Sequence, residues 1–391
     1  MGDAHRLGAA PPLRTARGSK VTTTSRDMGA LGLRVAQVVV SDAFAGTETY
    51  ATNLAAGLSL AGAEVVLVGG DPGQIRTALA ERGEGVTLLP AATLAEAWSQ
   101  LRRLGRIDVV HAHLTSAEVA ATLAFPDRSR SAVVCTRHIA ARRGASLLGR
   151  AAAPFVRARL DGQLAPSKYV ADRVDGACLV VPTGVADAEL GVHDEQVVLV
   201  VQRLEPEKDT ETALRAWAAS GLAEKGWELH IAGTGSQEPA LRDVARQAGI
   251  AGSCHFLGQV HNVAERLSRG GLILATATGD SFGLSVVEAM ACGLPVVAAA
   301  AGGHLETVGP VEGSALFQAQ DHLGAAALMR RLAEDQAARA AYGARLRERQ
   351  RAEYSLGGFV ERVASWYERV LAQCRARSYL PETTPREASL P

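Results

Sequence analysis

Short apolar runs alternate with helical periodicity along this chain, and the alternation occurs twice in succession. Arg34-VAQVVV-Ser41, Glu64-VVLVGG, Asp108-VVHAH-Leu114, Ala132-VVCT and Gln163-LAPS form a first series, with helical spacing between them, as in Glu48 to Ser59. The series restarts with Gln196-VVLVVQRL, Glu228-LHIAGTG, Cys254-HFLG, Gly271-LILATA and Leu294-PVVAAA, interleaved with helical patterns at Thr210 to Ser220, Pro239 to Gln247, from Ala264 and from about Gly283. Strands this short and this apolar are buried on both faces, which a parallel sheet covered by helices provides. The fold class expected is α/β, with two Rossmann-like doubly wound domains facing a central cleft.

The polar stretch Ala186-DAELGVHDE-Gln196 is the natural linker. It divides the chain into a first domain at 33–190 and a second at 191–357. A closing helix follows at 358–376, with Val360, Val363, Trp366, Tyr367, Val370 and Leu371 on one face. Residues 1–32 and 377–391 are expected to be a disordered extension and tail, and Met28 is an alternative start. No apolar run reaches the roughly 18 residues a spanning helix needs, so no integral membrane segment is expected. The 41 basic residues balance 41 acidic ones, which argues against a dedicated nucleic-acid binder. Five scattered cysteines without a CxxC pair fit reduced thiols in a cytoplasm.

The densest chemical signal is Thr278-GDSFGLSVVEAMACGLPVVAAAAGGHLETVG-Pro310. Asp280 or Ser281 is expected to cap a helix whose free N–H groups suit a diphosphate, with Gly283 letting the phosphate approach the backbone. Gly293 and Pro295 then stop that helix. His111 and His113 invite a metal reading, but alternation sends both to one face and no third ligand is apparent, so no metal is expected. Gly233-TG-Ser236 lacks the third glycine of a dinucleotide loop, which argues against NAD. No cofactor is expected, a nucleotide sugar being a substrate.

The segment from Ser281 to Gly303 resembles the signature of the retaining GT-B glycosyltransferases of family 4, E-x-FG-x-x-x-x-EAMA-x-G-x-PVV-x-x-x-x-GG, with Asp280 where glutamate is usual. The resemblance implies that Asp280 holds donor-sugar hydroxyls, that Glu288 binds the ribose, and that Ser281, Phe282, Gly283 and Leu284 line the donor. Gln202-RLEPE-Lys208 looks like the family's R-L-x-x-x-K segment, in which Arg203 and Lys208 neutralise the departing diphosphate; Asp209 stands where glycine is common. Phe44-AGTETYATNLAAGL-Ser59 is similar to the family's glycine loop, with Gly46 and Thr47 against donor or acceptor. His138 looks like the histidine near the donor's C6 hydroxyl, and Val260 sits where the backbone contacts the base.

The resemblance therefore implies retaining transfer from a nucleotide sugar, expected to be UDP-linked, to a small hydroxyl acceptor, with a phosphate oxygen taking the proton. Asp42, Glu48 and Glu118 are offered as acids suited to a cationic acceptor such as an aminocyclitol or aminoglycoside antibiotic intermediate. No amphipathic basic helix near the glycine loop announces a membrane surface, although Arg142, Arg143 and Arg150 are basic groups that would suit one. Alternatives are transfer to a cell-surface polysaccharide or glycolipid, a GT-B sugar-nucleotide epimerase, and a non-catalytic nucleotide-sugar sensor.

Overall fold

Seven strands of the first half assemble in the order β3-β2-β1-β4-β5-β6-β7, every pair parallel. They are β1 (Arg34–Val39), β2 (Glu64–Val68), β3 (Val86–Leu89), β4 (Val109–His113), β5 (Ala132–Thr136), β6 (Gly162–Ala165) and β7 (Leu179–Val180). Six strands of the second half form a separate parallel sheet, β10-β9-β8-β11-β12-β13. These are β8 (Val197–Val201), β9 (Glu228–Ala232), β10 (Cys254–Gly258), β11 (Leu272–Ala275), β12 (Val296–Ala299) and β13 (Ala315–Phe317). This computed structural model describes residues 31–80, 85–144, 147–260 and 262–378, so the expected disorder at 1–30 and 379–391 lies outside the described residues. No helix of the described residues is long and apolar enough to cross a membrane.

Burial explains the order. β1, β4, β5, β8, β11 and β12 are buried nearly throughout, because helices cover both faces of each sheet. The strand order reverses between β1 and β4 and again between β8 and β11, which opens a crevice at the carboxyl ends of both sheets. Three strands do not announce themselves as apolar runs: β3, β7 and β13. All three are edge strands; β3 and β7 are half-buried or exposed, so burial did not force a strongly apolar sequence on them, while β13 is buried at Ala315 and Phe317 but only three residues long.

The chain crosses between the halves twice at one place. Val185 N–H donates to Tyr354 C=O at 2.9 Å, and Val185 bridges Ser355. From there the helix Leu356–Ser378 returns to the first sheet, where Phe359, Val363, Trp366 and Tyr367 join Val35, Leu54, Val134 and Leu164 in one core. Burying aromatic rings such as Phe359 and Tyr367 stabilises by about 1.5–3 kcal/mol each. Gly57 on the helix Gly46–Leu60 is the seat of this docking, since a Cβ there would collide with Val360. The linker belongs to the second half: His193 bonds Gly270 C=O and Cys292 C=O, each at 3.0 Å.

Candidate active site

In the second half, loops at the carboxyl ends of β8 and β11 are stitched together by polar groups. Lys208 ends a one-turn segment, Pro206–Lys208, and its carbonyl accepts from Gln202 Nε2 and Thr276 Oγ1, each at 3.0 Å. Asp209 follows with φ 48°, a left-handed conformation that aspartate tolerates better than most residues and glycine better still. Glycine, which the resemblance leads one to expect here, would adopt this conformation without strain. Asp209 begins the helix Thr210–Ser220, and its carboxylate accepts from Thr212 Oγ1 at 2.7 Å.

Lys208 Nζ donates to Asp280 Oδ2 at 2.7 Å, with only 18% and 21% of the two side chains exposed. Asp280 Oδ1 receives the N–H groups of Phe282 and Gly283 at 3.4 and 3.3 Å. Burial pushes this carboxyl up, but Lys208, His304 and the Phe282 N–H more than offset it, so its pKa lies below the usual value. The cap expected at Asp280 or Ser281 is instead Gly283, at φ 85°. Asp280 sits too far before the helix Leu284–Ala291 to cap it, and folds back to order the turn.

Gly283 also has an internal reason to be glycine, since a Cβ there would lie 2.9 Å from the His304 ring. The pair Gly302-Gly303 serves the same loop: a Cβ on Gly302 would strike Asp280 C=O, and Gly303 N–H donates to that carbonyl at 2.8 Å. Glu288 is half-buried one turn into the helix, and Val260 is half-buried just beyond β10. Ser281 and Leu284 are half-buried and Phe282 is buried, edge-on to Tyr354 at 5.6 Å. Arg203 is exposed and paired with Glu207 at 2.7 Å.

In the first half, Gly46 opens the helix Gly46–Leu60 behind Ala45, and Thr47 is half-buried beside it. A Cβ at Gly46 would meet no atom within 4 Å. His138 lies just past β5 and bonds His113 through Nε2 at 3.0 Å, while the Tyr50 ring meets it edge-on at 4.7 Å. His113 Nε2 bonds Gln37 Oε1 at 2.8 Å, and Gln37 Nε2 donates to Tyr367 OH at 3.0 Å. Tyr367 OH bonds His111 Nδ1 at 2.6 Å, and His111 Nε2 bonds Thr136 Oγ1 at 2.7 Å. His111 and His113 do share one face, 4.5 Å apart, and both have hydrogen-bond partners. Burial pushes His111 and His138 down to about 3.

Two of the three acids expected to face an acceptor do not. Glu48 is buried and receives Ala45 N–H at 2.9 Å, closing the start of its own helix. Glu118 is fully buried and takes two bonds from Arg143, at 2.5 and 3.0 Å. Arg143 is thus no surface charge either; Arg142 and Arg150 are exposed, and so is Asp42. The reasons differ: Glu48 stands at a helix start and meets a backbone N–H three residues away, whereas Glu118 lies on a helix packed against the first sheet and meets an arginine brought from 25 residues on.

Other groups near the cleft were not foreseen. Glu306, just after the paired glycines, receives the N–H groups of Lys168 and Tyr169 at 2.8 and 2.7 Å. Ser167 Oγ donates to Ser281 C=O at 2.5 Å, so the two halves touch beside Asp280. The loop Gly233–Ser236 is fixed from inside, since a Cβ at Gly233 or Gly235 would strike the backbone of Gln202 or Leu204. Away from the cleft, Glu228, His230 and His255 bring ligating atoms within 4.8 Å of one another at the β9–β10 edge.

Two doubly wound domains that bring a lysine, a carboxylate and a helix start to one cleft define a class of two-domain α/β proteins that bind ligands at the carboxyl ends of their sheets. The comparisons agree. Residues 186–349 match the family model "Glycosyl transferases group 1", and residues 44–188 match "Glycosyltransferase Family 4". This chain belongs to the GT-B glycosyltransferases of group 1. It is 32% identical over 295 residues to a D-inositol 3-phosphate glycosyltransferase of Geodermatophilus obscurus, covering 63% of this chain and 65% of that one. It is 27% identical over 183 residues to an N-acetyl-alpha-D-glucosaminyl L-malate synthase of Bacillus anthracis, covering 46% and 47%. The chain thus spans less than two thirds of these curated relatives. Among solved structures, Anabaena Alr3699/HepE in complex with UDP-glucose matches with a TM-score of 0.71 at 18% identity, over 86% of this chain and 100% of that one.

Proposed function

We propose that this chain is a retaining glycosyltransferase that moves a hexosyl group from a UDP-linked sugar to a hydroxyl of a small acceptor. The observation that carries the reading is the convergence of Lys208, Asp280 and the start of the helix Leu284–Ala291 at the carboxyl ends of β8 and β11. A departing diphosphate needs positive charge and free N–H groups in a dry cleft, and these elements supply both. Arg203 joins at little cost, because an exposed pair such as Arg203–Glu207 is worth about 0–1 kcal/mol. Glu288 takes the ribose hydroxyls, Val260 lies by the base, and Asp280 and His138 hold the sugar. The acceptor hydroxyl attacks from the face the nucleotide leaves, and a phosphate oxygen takes its proton.

With Glu48 and Glu118 engaged internally, the acceptor side keeps only Asp42 of the acids proposed for a cationic acceptor. The two curated relatives are named for inositol phosphate and malate, both small and anionic. A small anionic hydroxyl compound is therefore the acceptor class we favour over an aminocyclitol, and the cytoplasm, where nucleotide sugars are made, is the expected place of action. The test crosses UDP and GDP sugars with anionic polyols, hydroxy acids and aminocyclitols, and reads products by mass spectrometry and NMR. An α linkage from an α donor is expected. A β linkage rules out retention, and isomerised donor without acceptor favours an epimerase.

Gly46 gives a separate check. Gly46→Ala should leave the denaturation midpoint unchanged or slightly higher, because no atom of the chain opposes a Cβ there. Transfer should nonetheless fall by roughly tenfold or more, since a methyl group at the first helical turn stands where the ligand approaches. Wild-type transfer in Gly46→Ala would remove this loop from the site.

A further inference from the structure

Gln37 is fully buried in the middle of β1, an apolar strand that has no structural use for an amide. Its side chain joins two hydrogen-bonded branches. One runs through His113 to His138; the other runs through Tyr367 and His111 to Thr136. Thr136 Oγ1 lies 3.2 Å from Tyr50 OH, whose ring packs on His138. We propose that Gln37 is a positioning residue: through His113 it fixes the tautomer of His138, so that this imidazole offers an unprotonated Nδ1 to a hydroxyl of the bound sugar or acceptor. The choice of ligand rests on the glycosyltransferase reading; the tautomer does not.

The polarity follows from what each atom can do. A carbonyl oxygen only accepts, so His113 Nε2 must carry the proton that bonds Gln37 Oε1. A neutral His113 then has a lone pair on Nδ1, so His138 Nε2 donates to it. That leaves His138 with a bare Nδ1. On the other branch Gln37 Nε2 donates to Tyr367 OH, whose own proton finds its acceptor in His111 Nδ1. His111 then carries its proton on Nε2 and gives it to Thr136. Burial keeps all three imidazoles neutral, which supplies the one donor and one acceptor per ring that the chain requires.

Rotating the amide by a half turn reverses every bond and moves all three protons to Nδ1. A mixture of the two patterns sets donor against donor or lone pair against lone pair between Gln37, His113 and His138, or leaves the buried Tyr367 hydroxyl proton without an acceptor. The chain is therefore all-or-none, and the amide held between His113 and Tyr367 selects its direction. A His138 that can only accept at Nδ1 favours a ligand group that brings a proton, such as a hydroxyl, over an ether or a carboxylate.

Two-bond proton–nitrogen NMR on the full chain labelled with ¹⁵N-histidine reads which ring nitrogen carries the proton, with assignments from single histidine variants. The expected wild-type pattern is protonation at Nε2 in His111, His113 and His138 alike. Nδ1 protonation at His138, or a mixed pattern among the three, overturns the proposal. Gln37→Met should let His138 populate both tautomers and lower kcat by roughly 10-fold to 100-fold with a smaller change in KM. Tyr367→Phe, which keeps the packing, should also release the single tautomer if Gln37→Met does not fold. An unchanged His138 tautomer in either variant counts against Gln37. Because the spectra need no substrate, they decide the proposal even if the chain transfers no sugar, a result that would instead remove the functional reading.

Discussion

Lys208→Ala should lower sugar transfer by about 10²–10³-fold, because it removes the largely buried cation that we propose faces the departing diphosphate. It should also destabilise the second domain by roughly 1–3 kcal/mol, since Asp280 would lose its 2.7 Å partner while staying largely buried. The two losses respond differently to pH. In the wild type the folded pKa of Asp280 is depressed, so its contribution is present above the unfolded carboxyl pKa and is lost as pH falls through the folded value. In Lys208→Ala burial dominates and the folded pKa rises above the unfolded one. The stability gap between the two proteins should therefore be largest near neutrality and shrink on acidification toward the unfolded pKa. Urea midpoints at pH 7 and in mild acid measure it; a gap that widens in acid would show that Lys208 and Asp280 do not act as a pair.

Arg143→Ala should cost about 3–5 kcal/mol in the first domain without changing which acceptors are used. The Arg143 guanidinium is fully buried against Glu118, Asp175 at 2.8 Å and Gln163 at 2.6 Å. Burial would lift Asp175, but hydrogen bonds from Arg143 draw it down to about 2. Removing the arginine strands the Glu118 carboxylate, with Arg137 3.8 Å away as a weak substitute. Calorimetry should show the melting midpoint falling by about 6–20 °C. Replacing both partners by apolar residues, Arg143→Met with Glu118→Leu, should recover most of it. If Arg143→Ala instead changes the preference between cationic and anionic acceptors at full stability, Glu118 belongs to the acceptor site after all.

The two sheets were legible in the sequence wherever burial on both faces demanded unbroken valine and leucine runs, as in β1 and β8. β3 and β7 were not, because they are half-buried or exposed, and β13 was not because three residues are too few to read as a run. The donor segment was legible because its glycines answer to rigid neighbours: Gly302 to Asp280, Gly283 to His304. What misled was charge. An acid looks the same in sequence whether it closes a helix, as Glu48 does, or neutralises a buried arginine, as Glu118 does. Asp280 and Lys208 were each visible, but their pairing links residues 72 positions apart and depends on the β8–β11 adjacency. Gln37 gave a signal that was there to read: a lone amide in a run of valines needs a partner, though nothing local names Tyr367.

The return of the helix Leu356–Ser378 to the first sheet has a consequence for how the protein is made. Residues that complete the core around Val35 and Leu54 leave the ribosome only after the whole of the second domain. The second domain, continuous in sequence from β8 to β13, can fold while its predecessor still lacks Phe359, Trp366 and Tyr367. The first domain therefore waits, half-cored and with apolar surface open, while the second is synthesised. The nascent chain should be most in need of chaperones just before the helix Leu356–Ser378 emerges, and a ribosome stalled there would hold one finished domain and one unfinished one.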